Sequence, residues 1–72
     1  MLTSDLVRVA AAGGGLRIDC SKHLTSDLIR VASAARMGGG LVFFENSSRL
    51  LATDKVRIAA AGKGHIVFND LE

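Results

Sequence analysis

The sequence contains no proline, tryptophan or tyrosine, and its 72 residues include one cysteine and three phenylalanines. The single cysteine, Cys20, excludes an internal disulfide. No apolar segment approaches the roughly 20 uninterrupted residues that a membrane span needs. The first apolar stretch is also unlike a signal peptide, because Asp5 precedes it and Arg8 interrupts it. We therefore expect a soluble cytoplasmic protein with no membrane partner.

The main feature that is present is a threefold internal repeat. Each copy joins an alanine-rich segment, a glycine joint and a short apolar run, and the alanine-rich segments are residues 5–12, 27–34 and 54–61. Self-similarity at a period of roughly 20 to 50 residues indicates stacked units that bury their apolar faces only against one another. We expect residues 1–70 to form a single domain of three units, about 1–21, 22–48 and 49–70.

The two ends of the sequence bear on what kind of chain this is. Leu71-Glu72 is interpreted as a cloning scar and left out of the fold. Beginning and ending at unit boundaries suits a complete set of three. The sequence does not distinguish a complete protein from a fragment of a longer repeat array or from an engineered chain.

Within each unit the pattern predicts a helix, a joint and a strand. Ser4, Ser26 and Thr53 are predicted N-caps, each followed by an aspartate that suits the positive end of a helix dipole. The runs after the glycines predict strands over residues 16–20, 41–45 and 65–69. Strands joined by helices of this length run parallel. We therefore predict an α/β fold: a three-stranded parallel sheet in sequential order, with the helices on one face, forming a short solenoid.

Two of the units carry a shared motif. It reads Leu16-x-Ile18-x-x-Ser21 in the first and Leu41-x-Phe43-x-x-Asn46 in the second, and Leu24 or Leu50 follows before the next helix. This motif resembles a shortened leucine-rich repeat in which the strand is followed by a helix. The resemblance implies a protein-recognition surface and no catalysis. The departures are the glycines before the strand, the unequal spacing of the units, and the third unit, which has His65 and Asp70 at the matching positions.

Aligning the strands on the residue after their last glycine predicts two different sheet faces. One face, with Leu16, Ile18, Cys20, Leu41, Phe43 and Val67, is expected to meet the helices. The other would expose Val42, Phe44, Ile66 and Phe68 as one apolar patch. An exposed patch of this kind predicts an interface. We therefore expect a two-fold homodimer through these four residues, or pairing at the edge of the third strand.

Catalytic, metal and cofactor sites find little support in the sequence. The triple glycines follow a helix and precede a strand, the reverse of a phosphate-binding loop. Cys20, His23 and His65 are too few for a zinc site, and Cys20 falls on the apolar face, where a thiol is more often buried than nucleophilic. The sequence predicts no catalytic residue, no metal and no cofactor.

The alternative function is weak binding of nucleic acid. Arg8, Arg30 and Arg57 are repeat-equivalent and would form a row on the stacked helices. Each lies three residues after an aspartate, which predicts pairing within the helix. With a net charge of +2 and no tyrosine or tryptophan, we favour instead a non-enzymatic module that self-associates and mediates protein–protein interaction.

Overall fold

The computed structural model describes residues 2–69, in which three helices alternate with three strands. The elements are α1 (Thr3–Ala11), β1 (Leu16–Asp19), α2 (Thr25–Gly38), β2 (Val42–Glu45), α3 (Ala52–Gly62) and β3 (Ile66–Phe68). Single 3-10 turns, Cys20–Lys22 and Ser47–Arg49, precede α2 and α3. The alternation predicted by the repeat is confirmed, and the proposed scar at Leu71-Glu72 lies outside the described residues.

The strands form one sheet in the order β1-β2-β3, and both pairings are parallel. Leu16 pairs with Val42 and Val42 with Ile66, so these three residues occupy equivalent positions. The helices cover one face of the sheet, and α2 packs between α1 and α3. The predicted α/β fold with a sequential parallel sheet is therefore confirmed.

The helices begin earlier than the sequence predicted. Ser4, Ser26 and Thr53 lie inside the helices, and the N-cap positions belong to Leu2, Leu24 and Leu51, which have extended backbones and no capping side chain. The predicted hydroxyl caps are therefore wrong. In each unit a leucine carbonyl accepts the first helical hydrogen bonds, such as Leu2 O from the N–H groups of Asp5 and Leu6.

The predicted strand register is wrong by one residue in the second and third units. A residue with left-handed backbone follows each helix, at Gly13, Gly39 and Lys63. The first paired strand residue lies three positions after it in every unit. Aligning on the last glycine fails, because Gly15 of the first unit is equivalent to the ordinary residues Leu41 and His65 of the others.

The corrected register reverses the assignment of the two sheet faces. Val42 and Phe44 are fully buried in the core, and Ile66 and Phe68 are half-buried against it. The rings of Phe44 and Phe68 lie 5.6 Å apart between centroids. The prediction that these four residues form a solvent-facing interface is therefore wrong. Cys20 is buried as predicted, whereas Leu41 is exposed.

Candidate functional site

Three exposed leucines mark one side of the stack of helices. Leu2, Leu24 and Leu51 are 72%, 70% and 68% exposed, the highest values among the large apolar side chains of the described residues apart from Met37. They are repeat-equivalent, each standing immediately before its helix, and adjacent packed helices lie about 8–10 Å apart. We call these three residues the leucine row.

The backbone of the leucine row is fixed while its side chains point to water. The carbonyls of Leu24 and Leu51 accept hydrogen bonds from helical N–H groups, as the carbonyl of Leu2 does. The sequence carried a signal for this row that our sequence analysis missed: the segments Leu-Thr-Ser-Asp at residues 2–5 and 24–27, and Leu-Ala-Thr-Asp at 51–54. The recurring leucine is the first residue of each.

A shallow depression lies beside Leu24 and gives this part of the surface a basic border. Its lining includes Lys22, His23, Asp27 and Arg49. The Arg49 guanidinium donates to Cys20 O, with Nε at 3.1 Å, and to His23 O. It therefore ties the second 3-10 turn to the first and holds the turns on which this border is built.

The third helix leaves apolar positions uncovered that are covered in the first two units. Val56 is 66% exposed, whereas its equivalents Val7 and Ile29 are half-buried against the core. Ala59 is exposed, whereas the equivalent Ala10 and Ala32 are fully buried. These side chains, together with the free edge of β3, form the surface we call the tail face.

The opposite end of the stack shows the complementary difference. Val9 is 36% exposed, whereas its equivalents Val31 and Ile58 are buried at 1% and 0%. Ala12 is exposed, whereas the equivalent Ala34 is buried. Val9, Ala12 and the free edge of β1 form the head face. Among the described residues, each end thus lacks the neighbour that the middle unit has on both sides.

The sheet face away from the helices is occupied by polar side chains that bind one another. Arg17 Nη1 lies 2.6 Å from Glu45 Oε2, and its guanidinium lies over the Phe43 ring at 5.5 Å from the centroid. Asn69 donates to the same Glu45 carboxylate at 3.3 Å. Exposed ion pairs of this kind contribute about 0–1 kcal/mol. This face is therefore less apolar than the sequence predicted.

The Asp19 carboxylate on the same face has one well-defined role. It accepts hydrogen bonds from Ser21 Oγ at 2.6 Å and from the Ser21 N–H at 2.9 Å. These hydrogen bonds lower the pKa of Asp19, because they favour the charged carboxylate. Asp19 thus caps the first 3-10 turn.

The predicted arginine row is exposed on three consecutive helices. Arg8, Arg30 and Arg57 all reach solvent. Within residues 2–69, Arg30 alone of the three has an ion pair with its helical aspartate, to Asp27 at 3.8 Å. The predicted pairing with aspartate is therefore confirmed for Arg30 and is wrong for the other two.

The residues considered for catalysis or metal binding are dispersed. Cys20 is fully buried. His65 Nδ1 lies 2.9 Å from Gly40 O, and because a carbonyl only accepts, this nitrogen is the donor. Across the described part of the chain, no group of three or more histidine, cysteine, aspartate or glutamate residues could hold a metal ion.

Comparison with models of known families, with curated proteins and with solved structures finds no match to this chain. The resemblance to leucine-rich repeats stays a prediction from the motif. Among residues 2–69, no helix has the length and apolar character needed to cross a bilayer.

Proposed function

We propose that this chain is a non-catalytic module that self-associates and binds other proteins. The observation that carries the proposal is the leucine row. Single exposed apolar residues are common on soluble proteins, but a contiguous apolar patch marks an interaction surface. Here one apolar residue is exposed at the same place in three stacked units, so the repeat builds a patch.

The geometry and charge of the row favour one class of partner. Packed helices such as those that carry its leucines lie about 8–10 Å apart, and residues seven apart on a helix are separated by about 10.5 Å. The border beside Leu24 contains two cationic side chains, Lys22 and Arg49, and one carboxylate, that of Asp27. An amphipathic helix with an apolar residue at every seventh position and acidic flanks would match both features.

A defined peptide tests this surface. The probe is a fluorescently labelled acidic helix of about four turns or more, with leucine at three positions seven residues apart. Binding is followed by fluorescence anisotropy. We expect Leu2, Leu24 and Leu51 changed together to serine to weaken binding at least tenfold, because each exposed leucine loses about 1 kcal/mol or more of apolar burial.

Met37→Ser is the matched control, since Met37 is 85% exposed but lies outside the row. It should bind the peptide as the unchanged chain does. Equal binding by the triple serine variant, or no binding by the unchanged chain, would contradict the leucine row as the partner surface. Self-association is a separate part of the proposal and is measured by light scattering as concentration is raised.

The buried and bonded state of the reactive side chains supports a role without catalysis. Cys20 and Ser47 are fully buried. His65 is engaged with a backbone carbonyl, and Asp19 caps a turn. The side chains that the fold presents to solvent at equivalent positions include three leucines and three arginines, which suit contact surfaces.

A second candidate function is weak binding of nucleic acid by the arginine row. The observation that favours it is that Arg8 and Arg57 are exposed and form no ion pair within residues 2–69, so their charge is less neutralised than the sequence predicted. Phosphate contacts of this kind weaken steeply with salt.

A gel shift with duplex DNA and with single-stranded RNA at low salt tests the second candidate. Changing Arg8, Arg30 and Arg57 together to glutamine should abolish any shift. Arg36→Gln, at an exposed arginine outside the row, should leave it in place. Absence of a shift for the unchanged chain at low salt would remove this function.

A further inference from the structure

We propose that copies of this chain stack head to tail, with the tail face of one copy receiving the head face of the next. The inference rests on the self-association part of the proposed function and specifies its geometry. The two surfaces that would meet already meet twice within the chain, where the second unit stacks on the first and the third on the second. The expected occupant of each open end is therefore a second copy.

The strand edges are complementary in hydrogen bonding. Within the chain, Val42 N–H donates to His65 O and Asn69 N–H donates to Phe44 O. In a parallel ladder alternate residues point to opposite edges, so Ile66 and Phe68 direct their backbone groups to the free edge of β3. The repeat predicts that Ile66 N–H would donate to Gly15 O of the next copy, and that Asp19 N–H of that copy would donate to Phe68 O.

The core-facing side chains of two stacked copies would pack as those of neighbouring units do. A helix that connects two parallel strands packs across both of them, as α2 does for β1 and β2. The first helix of the next copy would lie across β3 of the first copy and its own β1. It would bring Val9 over Ile66 and Phe68, the strand residues that remain half-buried.

The helix surfaces match at equivalent positions. Ala32 faces α3, because a Cβ placed on Gly62 would lie 3.5 Å from the Ala32 Cβ. Its equivalent Ala59 is exposed and faces the position that the next helix would fill. Ala12 of the next copy would be covered there, as Ala34 is within the chain.

Head and tail are different surfaces, so this contact is heterologous and does not close after two copies. It replaces the two-fold sheet-face dimer that the sequence suggested, because Val42 and Phe44 are fully buried beneath the helices. Lys55 stands where the first two units have the buried Leu6 and Leu28. This polar substitution at the tail predicts a weaker contact between copies than between units.

Two single substitutions test the head face and the tail face separately. Ala59→Glu blocks the tail and Ala12→Glu blocks the head, and both alanines are exposed in the isolated chain. Ala60→Glu and Ala11→Glu are the controls, because this adjacent position is exposed in all three units. Circular dichroism confirms that each variant keeps its helices, and light scattering from about 10 µM to about 1 mM spans the range of weak contacts.

For the unchanged chain and both controls, the weight-average mass should rise with concentration beyond that of a dimer. Each blocked variant alone should associate at least about 30-fold more weakly, because a carboxylate would be buried without a partner. An equimolar mixture of the two blocked variants should form a heterodimer and stop there, since each supplies the face that the other lacks.

The outcomes distinguish this inference from the proposal on which it rests. If either blocked variant alone associates as strongly as the unchanged chain, or if the mixture stays monomeric, head-to-tail stacking is overturned while self-association stands. If the unchanged chain stays monomeric up to about 1 mM, self-association itself fails, because a contact weaker than about 4 kcal/mol is not a specific assembly.

Discussion

Phe44 shows that the contribution of a strand residue to stability depends on the sheet face to which its side chain points. Its ring is fully buried beneath the helices and contacts Phe68. Phe43, the next residue, lies half-buried on the opposite face beside Arg17. The two adjacent phenylalanines therefore have different energetic roles that composition alone does not distinguish.

We expect Phe44→Ala to lower the free energy of unfolding by about 3–5 kcal/mol, because it removes a core ring and leaves a cavity. A domain of this size has little stability to spare, so Phe44→Asp should leave the chain unfolded. Urea denaturation followed by circular dichroism measures both. Phe43→Ala is the control and should cost less than about 2 kcal/mol, as its ring is only partly removed from water.

The comparison of these two variants also tests the register. A larger loss of stability for Phe43→Ala than for Phe44→Ala would contradict the burial of Phe44 and favour the face assignment first predicted from the sequence. The sequence could not settle this because the left-handed residue is the first glycine of the triplet in the first unit, Gly13, and the second glycine in the second unit, Gly39, while Lys63 holds this position in the third. With a lysine there, the glycines of the third unit no longer mark the start of the strand.

At the scale of elements, the alternation of helix and strand was predictable and the helix starts were not. The alanine-rich segments have strong helix propensity, and the runs after the glycines are apolar and short. The hydroxyl residues Ser4 and Ser26 suggested caps, yet the helices extend to Thr3 and Thr25. Local propensity thus identified the elements but not their first residues, which lie two positions earlier than the hydroxyl caps predicted.

The joint between the first two units depends on a close approach at Gly38, the last residue of α2. A Cβ on this residue would lie 2.6 Å from Ala11 O and closer still to Ala10 O. Both neighbours are backbone atoms of α1, so they cannot turn away as a side chain would. The absence of a side chain at Gly38 therefore allows α2 to pack on α1.

We expect Gly38→Ala to destabilise the fold by about 2 kcal/mol or more. Alanine gains about 1 kcal/mol in helix propensity, but overpacking against a rigid backbone costs more, typically about 1–3 kcal/mol and higher where nothing can move. Thermal unfolding by circular dichroism measures the net change.

Gly15→Ala is the control for this joint. A Cβ there would meet only Leu41 O at an ordinary 3.6 Å, and the equivalent positions already carry Leu41 and His65. Its melting temperature should stay close to that of the unchanged chain. A Gly38→Ala variant as stable as this control would show that the two helices do not approach as closely as described.

At the scale of the whole molecule, the sequence predicted association through a sheet face whose residues Val42 and Phe44 the structure buries. The sequence identified the repeat, and within residues 2–69 the first and third units each pack on the middle unit at one side only. What it could not supply was the burial of each copy: Ala10, Ala32 and Ala59 are identical residues, and only the stacked structure shows that the third is exposed. The head and tail faces were found because the exposure of equivalent side chains differs between units. The leucine row was found because the exposure of its side chain is the same in all three.

The two proposed surfaces are geometrically independent and reinforce each other. The leucine row lies at the starts of the helices, whereas the head and tail faces lie at the ends of the stack, so assembly leaves the row open. Stacking one copy on another would extend the row from three leucines to six at the same spacing. A partner that offers several apolar segments would then bind several copies at once, and its later contacts would form at a high effective concentration. Association between copies and affinity for a multivalent partner should therefore rise together, although no residue is shared between the two surfaces.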